Sequence, residues 1–183
     1  PKYNCIKFKK INIGLMICED MWTDKIAKNL VKDNADIFIC INASPYDDQK
    51  QIQRKKAAEK IIKISKKPLI YVNQIGGQDE LVFDGGSFVL DNNGNVVNQL
   101  NYWKEHNKSI DIILKKNKIL FPSYDKCYDP DKNFNTWNAL VLGLRDYVNK
   151  NAFKKVVLGL SGGIDSAVSA AIAVDAIGSN NII

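Results

Sequence analysis

The sequence predicts an α/β fold in two pieces, on three observations. Short apolar runs of strand length recur at residues 11–17, 37–41 and 69–72, separated by stretches of helical length and composition. Residues 115–133 break into lysines, Pro122, Pro130 and isolated aromatics, as a linker between domains does. Beyond it a strand, a glycine loop and a helix follow in the order that opens a parallel α/β unit. One domain is therefore expected over residues 1–114 and a second over 134–183, joined by a linker over 115–133.

The elements follow in order. Residues 11–17 end at Cys18-Glu19-Asp20 and read as a buried strand that delivers a cysteine to its C-terminal end. A helix is expected over 23–32 and a second buried strand over 37–41, closed by the turn-forming Asn42-Ala43-Ser44-Pro45. Residues 48–67 are polar enough for a long surface helix, ended by Pro68, and 69–72 read as a third strand. Residues 74–86 look too irregular for helix or strand. With two glycine pairs and three carboxylates they are expected to form a functional loop near a site mouth or a domain contact. Residues 87–90 and 96–100 flank Asp91-Asn92-Asn93-Gly94, a hairpin signal because Asn and Gly both tolerate positive φ, and 110–114 supply another strand.

In the second piece Phe134, Trp137, Val141, Leu144 and Val148 lay one apolar stripe along a helix, which the pattern assigns to the second domain. A strand over 156–160, a small-residue loop over 161–166 and an alanine-rich helix over 167–177 follow, with Gly178 at the C′ position. No internal repeat is present.

The bulk composition narrows the class. A chain of 183 residues with 45% hydrophobic content can bury a core and is no disordered tail. The net charge of +6 comes from scattered lysines with no arginine cluster among aromatics, which reads as solvated surface and against a nucleic-acid site. No apolar run approaches the roughly 20 residues of a membrane span, and Pro1-Lys2-Tyr3-Asn4 opens no signal peptide, so a cytoplasmic protein is expected. Cys5, Cys18, Cys40 and Cys127 show no C-x-x-C spacing and read as free thiols. With no Met at position 1 and a strand starting at Ile182-Ile183, the chain is expected to be a piece of a longer polypeptide.

Two segments carry chemistry. In Ser161-Gly162-Gly163-Ile164-Asp165-Ser166 the glycines let backbone N–H groups close on an anion, the serines add donors, and the next helix points its positive end the same way. That pattern suits a pyrophosphate cradle, and it is neither a Walker A loop nor G-x-G-x-x-G. Asp165 fits an anion site when a cation intervenes, most simply Mg²⁺ between carboxylate and phosphate. The bland alternative is a tight strand-to-helix turn. At Cys18, a strand-end thiol at a sharp turn suits a nucleophile, and the next N–H can help hold an oxyanion. The segment by itself leaves a core cysteine equally open. Cys40, in mid-strand, takes that core reading, and His106, alone in a polar run, reads as a surface histidine.

Leu158-Gly159-Leu160-Ser161-Gly162-Gly163-Ile164-Asp165-Ser166-Ala167 resembles the phosphate loop of the N-type ATP pyrophosphatases, which activate a carboxylate or carbonyl as its adenylate. Ile13 to Trp22, with Cys18-Glu19-Asp20 at its centre, is similar to the nucleophile strand of the nitrilase superfamily, which hydrolyses amides with a Glu-Lys-Cys set. Together with Asn42-Ala43-Ser44-Pro45-Tyr46 and the run from Tyr71 to Ser87, these segments resemble the glutamine-dependent NAD synthetases from Ile11 onward.

That resemblance implies the C-terminal half of an αββα nitrilase-type sandwich, followed by the start of a Rossmann-like ATP-pyrophosphatase domain. It implies glutamine, deamido-NAD and ATP as partners, Mg²⁺ beside ATP, and a homo-oligomer for the full-length enzyme. Cys18 would be the nucleophile, and Ser44 and Lys50 would hold the glutamine, with Glu19 a candidate partner of its α-amino group. ATP would lie on Gly159, Leu160, Ser161, Gly162, Gly163, Ile164, Asp165 and Ser166. The catalytic Glu and Lys of the set would precede Pro1, so the chain alone is expected to be inactive. Asp47-Asp48-Gln49-Lys50-Gln51 departs from the basic, glycine-containing run usual in that family, which leaves Lys50 a solvated lysine on the alternative reading. A tRNA-modifying ATP pyrophosphatase, a standalone amidase and a non-catalytic oligomer contact are the rival readings. The first leaves the Cys18 segment unexplained and the second has no need of the phosphate loop, while the third is discriminated by whether the full chain carries the upstream Glu and Lys.

Overall fold

A computed structural model describes residues 5–116, 118–125 and 129–183. Cys127 and the first four residues lie outside the described residues. The strands β1 (Ile6–Phe8), β2 (Ile11–Ile17), β3 (Ile37–Asn42) and β4 (Leu69–Asn73) are followed by β5 (Ile75–Gln78), β6 (Leu81–Asp84), β7 (Phe88–Leu90) and β8 (Val96–Gln99). Helix α1 (Asp24–Lys32) connects β2 to β3, and α2 (Lys50–Ser65) connects β3 to β4. The six-stranded sheet has the order β1-β2-β3-β4-β7-β8, with β2, β3 and β4 parallel and the outer pairings antiparallel.

The parallel centre follows from the helical crossovers, each of which returns the chain to the same sheet end. One face of the sheet, with Met16, Phe38, Cys40, Leu69, Tyr71, Phe88 and Leu90, packs on Ile26 and Leu30 of α1 and on Ala58, Ile61 and Ile62 of α2. The polar helix expected on the surface is thus half core. Its lysines face water while residues spaced by three and four, beginning with Arg54, turn inward. It ends where Lys66 enters the left-handed region (φ 58°) and returns its N–H to Ile62 O.

On the other face Ile37, Val89 and Val97 lie under Ile119 and Phe121, the first within and the second just after β10 (Lys118–Leu120), which pairs antiparallel with β9 (Ile113–Lys115). The start of the expected linker is therefore structured and packed. Strand β9 is also shorter than the expected 110–114 run. Leu15, Ile17, Ile41 and Val72 on the same face are exposed, so on this side the strands are covered toward their N-terminal ends, at Ile13, Ile37 and Ile70, and bare toward their C-terminal ends. An αββα sandwich packs this apolar face against its second sheet.

Residues 74–86, expected to be irregular, form the hairpin β5–β6 outside the main sheet. The β7–β8 hairpin closes differently from the Asn-Gly signal. Gly94 alone has positive φ (88°) and bonds back to Asp91 O, while the Asp91 carboxylate accepts from the N–H of Asn93 and Asn95.

The second region opens with α3 (Lys132–Lys150), capped by Asp131, whose carboxylate accepts from Phe134 N. Helix α3 packs on α4 (Ile164–Ile177) and on the β5–β6 hairpin, so it belongs to both regions. The face turned to the hairpin carries Leu142, Gly143 and Asp146, not the apolar stripe, whose first member Phe134 is exposed. Trp137 Nε1 donates to Asp175 at 2.8 Å, tying α3 to α4. The strand expected over 156–160 is reduced to one parallel bridge between Val156 and Ile182. Helix α4 starts three residues before the expected Ala167 and ends at Gly178 (φ 82°), as expected.

Candidate active site

Cys18 is the first residue past β2, where parallel α/β sheets place their sites. Its φ of 47° is left-handed, which a non-glycine residue adopts at a cost of about 1–2 kcal/mol. The chain turns there into a 3-10 turn, Cys18–Trp22, pinned by Ile17 N–H donating to Asp20 Oδ2 at 2.9 Å. The thiol is half-buried. Cys40, by contrast, is wholly buried. Its thiol donates to Asn42 Oδ1 at 3.4 Å, and burial pushes it up to about 11, so it stays protonated and inert.

Ser44 follows β3 at the same sheet end and is buried in a polar network. Its Oγ accepts from Arg54 Nε at 3.1 Å and its carbonyl from Arg54 at 2.7 Å, while its N–H donates to Asn73 Oδ1 at 2.9 Å. Arg54, with no exposed surface, also donates to Pro45 O at 3.0 Å, and one guanidinium nitrogen lies 2.8 and 2.9 Å from the two Asp84 oxygens. Burial raises the Asp84 carboxyl above the usual range, and the Arg54 charge opposes that rise. Arg54, Asn73 and Asp84 were missed in the sequence. Arginine's rarity was the available signal: Arg54 and Arg145 are the two arginines among 26 basic residues.

Removing one partner of such a pair strands the other. Arg54→Ala in the full-length protein is expected to lower stability by about 3–5 kcal/mol. Lys28→Ala, which loses an exposed contact to Asp24, should cost less than about 1 kcal/mol. Urea unfolding midpoints of the two variants check the contrast.

Lys50, at the start of α2, places its ammonium 5.1 Å from the Trp22 ring centroid, which brings it to the turn that Cys18 begins. Glu19 lies in that turn and is exposed. The structure thus gathers Cys18, Glu19, Ser44 and Lys50 at one sheet end, with the Ser44 hydroxyl already engaged by Arg54. His106 is exposed and lines a cavity of about 410 Å³ beside Asn73, Ser87 and Lys104, to whose wall the Cys18–Trp22 turn contributes no residue.

In the second region Gly162 (φ 84°) turns the chain, Gly163 caps α4, and Ile164, Asp165 and Ser166 form its first turn. Half of the expected loop is therefore helix. Gly159, Leu160 and Ser161 precede it and are exposed. Ser166 Oγ donates to Gly163 O at 3.0 Å and lies 3.1 Å from Ser161 Oγ, so the two hydroxyls brace the turn. The opening N–H groups of α4 have no helical acceptor, as anion binding at a helix N-terminus requires. The Asp165 side chain is exposed and enters no hydrogen bond or ion pair among the described residues. These residues fit Mg²⁺ beside phosphates, since that ion takes one or two carboxylates and fills its other positions with phosphate and water. Among the described residues no cluster of three or more His, Cys, Asp or Glu offers a cage of its own.

A cysteine at the end of a parallel strand, and a buried polar network at the same end of the sheet, define the first region as an α/β domain with its candidate site at the carboxyl ends of the strands. The chain belongs to the carbon-nitrogen hydrolase family, whose model matches residues 2–115; the NAD synthase family model matches residues 136–183. The glutamine-dependent NAD(+) synthetase of Acinetobacter baylyi is 40% identical over 92% of this chain and 31% of its own length, and that of Synechocystis 35% identical over 96% and 33%. The chain spans about a third of the length of the curated relatives it matches. A solved glutamine-dependent NAD+ synthetase from Acinetobacter baumannii, in complex with adenosine diphosphate, superposes with a TM-score of 0.88 at 36% identity, over 97% of this chain and 34% of that one. A carbon-nitrogen hydrolase from Helicobacter pylori is similar in fold over 54% of this chain and 39% of its own, with a TM-score of 0.51 at 21% identity. No helix among the described residues is long and apolar enough to cross a membrane.

Proposed function

We propose that the protein carrying this chain is a glutamine-dependent NAD synthetase. One observation carries this reading: a strand-end cysteine turn and a Ser-Gly-Gly-Ile-Asp-Ser helix N-terminus lie in one chain, with α3 packed against both regions. The first suits release of ammonia from an amide, the second binding of a nucleotide's phosphates.

In the reaction so assigned, the Cys18 thiolate attacks the glutamine side-chain carbonyl carbon, and the tetrahedral adduct collapses to a thioester as ammonia leaves. Water then frees glutamate and restores the thiol. The N–H following Cys18 is suited to hold the oxyanion, and the family resemblance implies a Glu and a Lys that move the proton and share that charge. Lys50 and Glu19 would bind the charged end of glutamine, and Ser44 would be fixed by Arg54. At the second site the opening N–H groups of α4 hold the phosphates of ATP while the nicotinate carboxylate of deamido-NAD attacks the α-phosphorus and pyrophosphate departs. Ammonia then displaces AMP to give the amide of NAD. Mg²⁺, when bound, would supply charge neutralisation on the leaving pyrophosphate, and Asp165 is the residue that would hold it. A cytoplasmic homo-oligomer belongs to the same reading.

Isotope transfer tests it. With ATP, deamido-NAD and glutamine carrying ¹⁵N in its side-chain amide, the full-length protein is expected to make NAD one mass unit heavier, with one glutamate per NAD. No NAD, or NAD without the label, would reject the assignment.

A further inference from the structure

The β5–β6 hairpin touches α3 and the segment after β3 through different groups, those of β5 toward α3 and those of β6 toward Ser44 to Tyr46, with Gly77 and Val82 paired across the two strands. A two-stranded ribbon outside the main sheet is marginal by itself, so its position comes from what it packs on. Near its tip Gly77 N–H donates to Asp146 Oδ2 of α3 at 2.7 Å, and the Lys150 ammonium of α3 donates to Gly77 O. The backbones meet there: a Cβ on Gly77 would lie 3.2 Å from Gly143 Cα and from Asp146 Cβ, and one on Gly143 would lie 3.2 Å from Val82 Cγ1. On the other strand Val82 O accepts from Tyr46 N at 2.7 Å, and Asp84 closes the ion pair with Arg54, which holds Ser44. Two points of β6 therefore fix the segment from Ser44 to Tyr46, and β5 is fixed by α3. A third tie runs beside them, since Trp103 packs edge-on against Tyr46 and donates to Asn135 of α3 at 2.8 Å.

We infer that Asp146 is a positioning residue for the cysteine site: the β5–β6 hairpin is a strut that carries the placement of α3 to Ser44, so the glutamine pocket takes its shape from the synthetase side. This rests on the glutamine-dependent reading above. Asp146 touches no reacting group in that scheme. It acts through the Gly77 amide, then Val82 and Asp84, then Arg54.

Two measurements on the full-length protein decide it. In Asp146→Ala the KM for glutamine, read from glutamate release, is expected to rise about tenfold with kcat within about threefold, the scale of one lost charge-assisted hydrogen bond. Synthesis from ammonium should be unchanged. Asp146→Asn, which still offers Gly77 an oxygen acceptor, should restore most of the KM. Gly77→Ala wedges α3 away without deleting a side chain and should reproduce the KM rise, which keeps the test open if Asp146→Ala does not fold. Backbone hydrogen exchange at residues 44–46 and 75–84 should quicken together in both disrupted variants, with α1 unaffected. A wild-type KM in folded Asp146→Ala and Gly77→Ala, or equal losses with glutamine and with ammonium, would overturn the strut. If the wild-type protein hydrolyses no glutamine, the functional reading fails, and coupled exchange of the two segments still upholds the strut while uncoupled exchange rejects it.

Discussion

Cys18→Ala in the full-length protein is expected to remove glutamine-driven NAD synthesis, a loss of roughly 10³-fold or more, and to leave ammonium-driven synthesis within about twofold. The asymmetry follows from placement. Cys18 sits where β2 turns into the 3-10 segment, far in sequence from the α4 N-terminus, and in the proposed scheme the thiolate serves only nitrogen release. The substitution should spare the fold. Alanine bears the same left-handed penalty at φ 47° that cysteine bears now, and the bond from Ile17 N–H to Asp20 uses neither side chain involved. Cys40→Ala is the internal control: its thiol is buried and protonated, so that change should cost stability and spare glutamine chemistry. NAD formation with each nitrogen source, measured beside circular dichroism, checks both. Loss of both activities in a folded Cys18→Ala protein would make the residue structural, and undiminished glutamine use would remove it from the mechanism.

What was legible in the sequence follows a physical division. Strand β2 was read to its last residue because an apolar run bounded by Lys10 and Cys18 marks a strand by itself, though the burial expected on both faces is met in full only on the side of Met16. The Cys18 turn and the Ser-Gly-Gly-Ile-Asp-Ser segment were legible because glycine, serine and a strand-end cysteine carry their chemistry locally. The β5–β6 hairpin was not. Its residues Ile75-Gly76-Gly77-Gln78 have poor strand propensity, and they pair because Gly77 and Gly143 let two backbones meet, a tertiary cause with no local trace. Arg54 was hidden by the lysines around it, and nothing nearby announces that Asp84 will come to meet it. In α3 the apolar stripe was a true pattern, but it described one face of a helix that uses two.

Asp165→Asn is expected to lower NAD synthesis by roughly 10²-fold or more with either nitrogen source, while glutamine binding at the Cys18 site is unchanged. Asp165 lies in the first turn of α4, exposed, and among the described residues no hydrogen bond or ion pair engages its side chain. A carboxylate so placed gains about 0.3–1 kcal/mol from the helix dipole, which is all the fold stands to lose when an amide of nearly equal shape replaces it. The chemistry stands to lose more. The α4 N–H groups can cradle phosphate in either variant, but an amide lacks the charge that a hard cation such as Mg²⁺ requires of its ligand, and the departing pyrophosphate then keeps its own charge unbalanced. Ser161 and Ser166 brace the turn through each other and through Gly163 O, so the cradle itself should persist. Pyrophosphate release with ATP, deamido-NAD and saturating ammonium, followed over a range of Mg²⁺ concentrations, measures the step. A wild-type rate in Asp165→Asn, or a loss that no Mg²⁺ concentration relieves and that accompanies unfolding, would take the metal-holding role away from this residue.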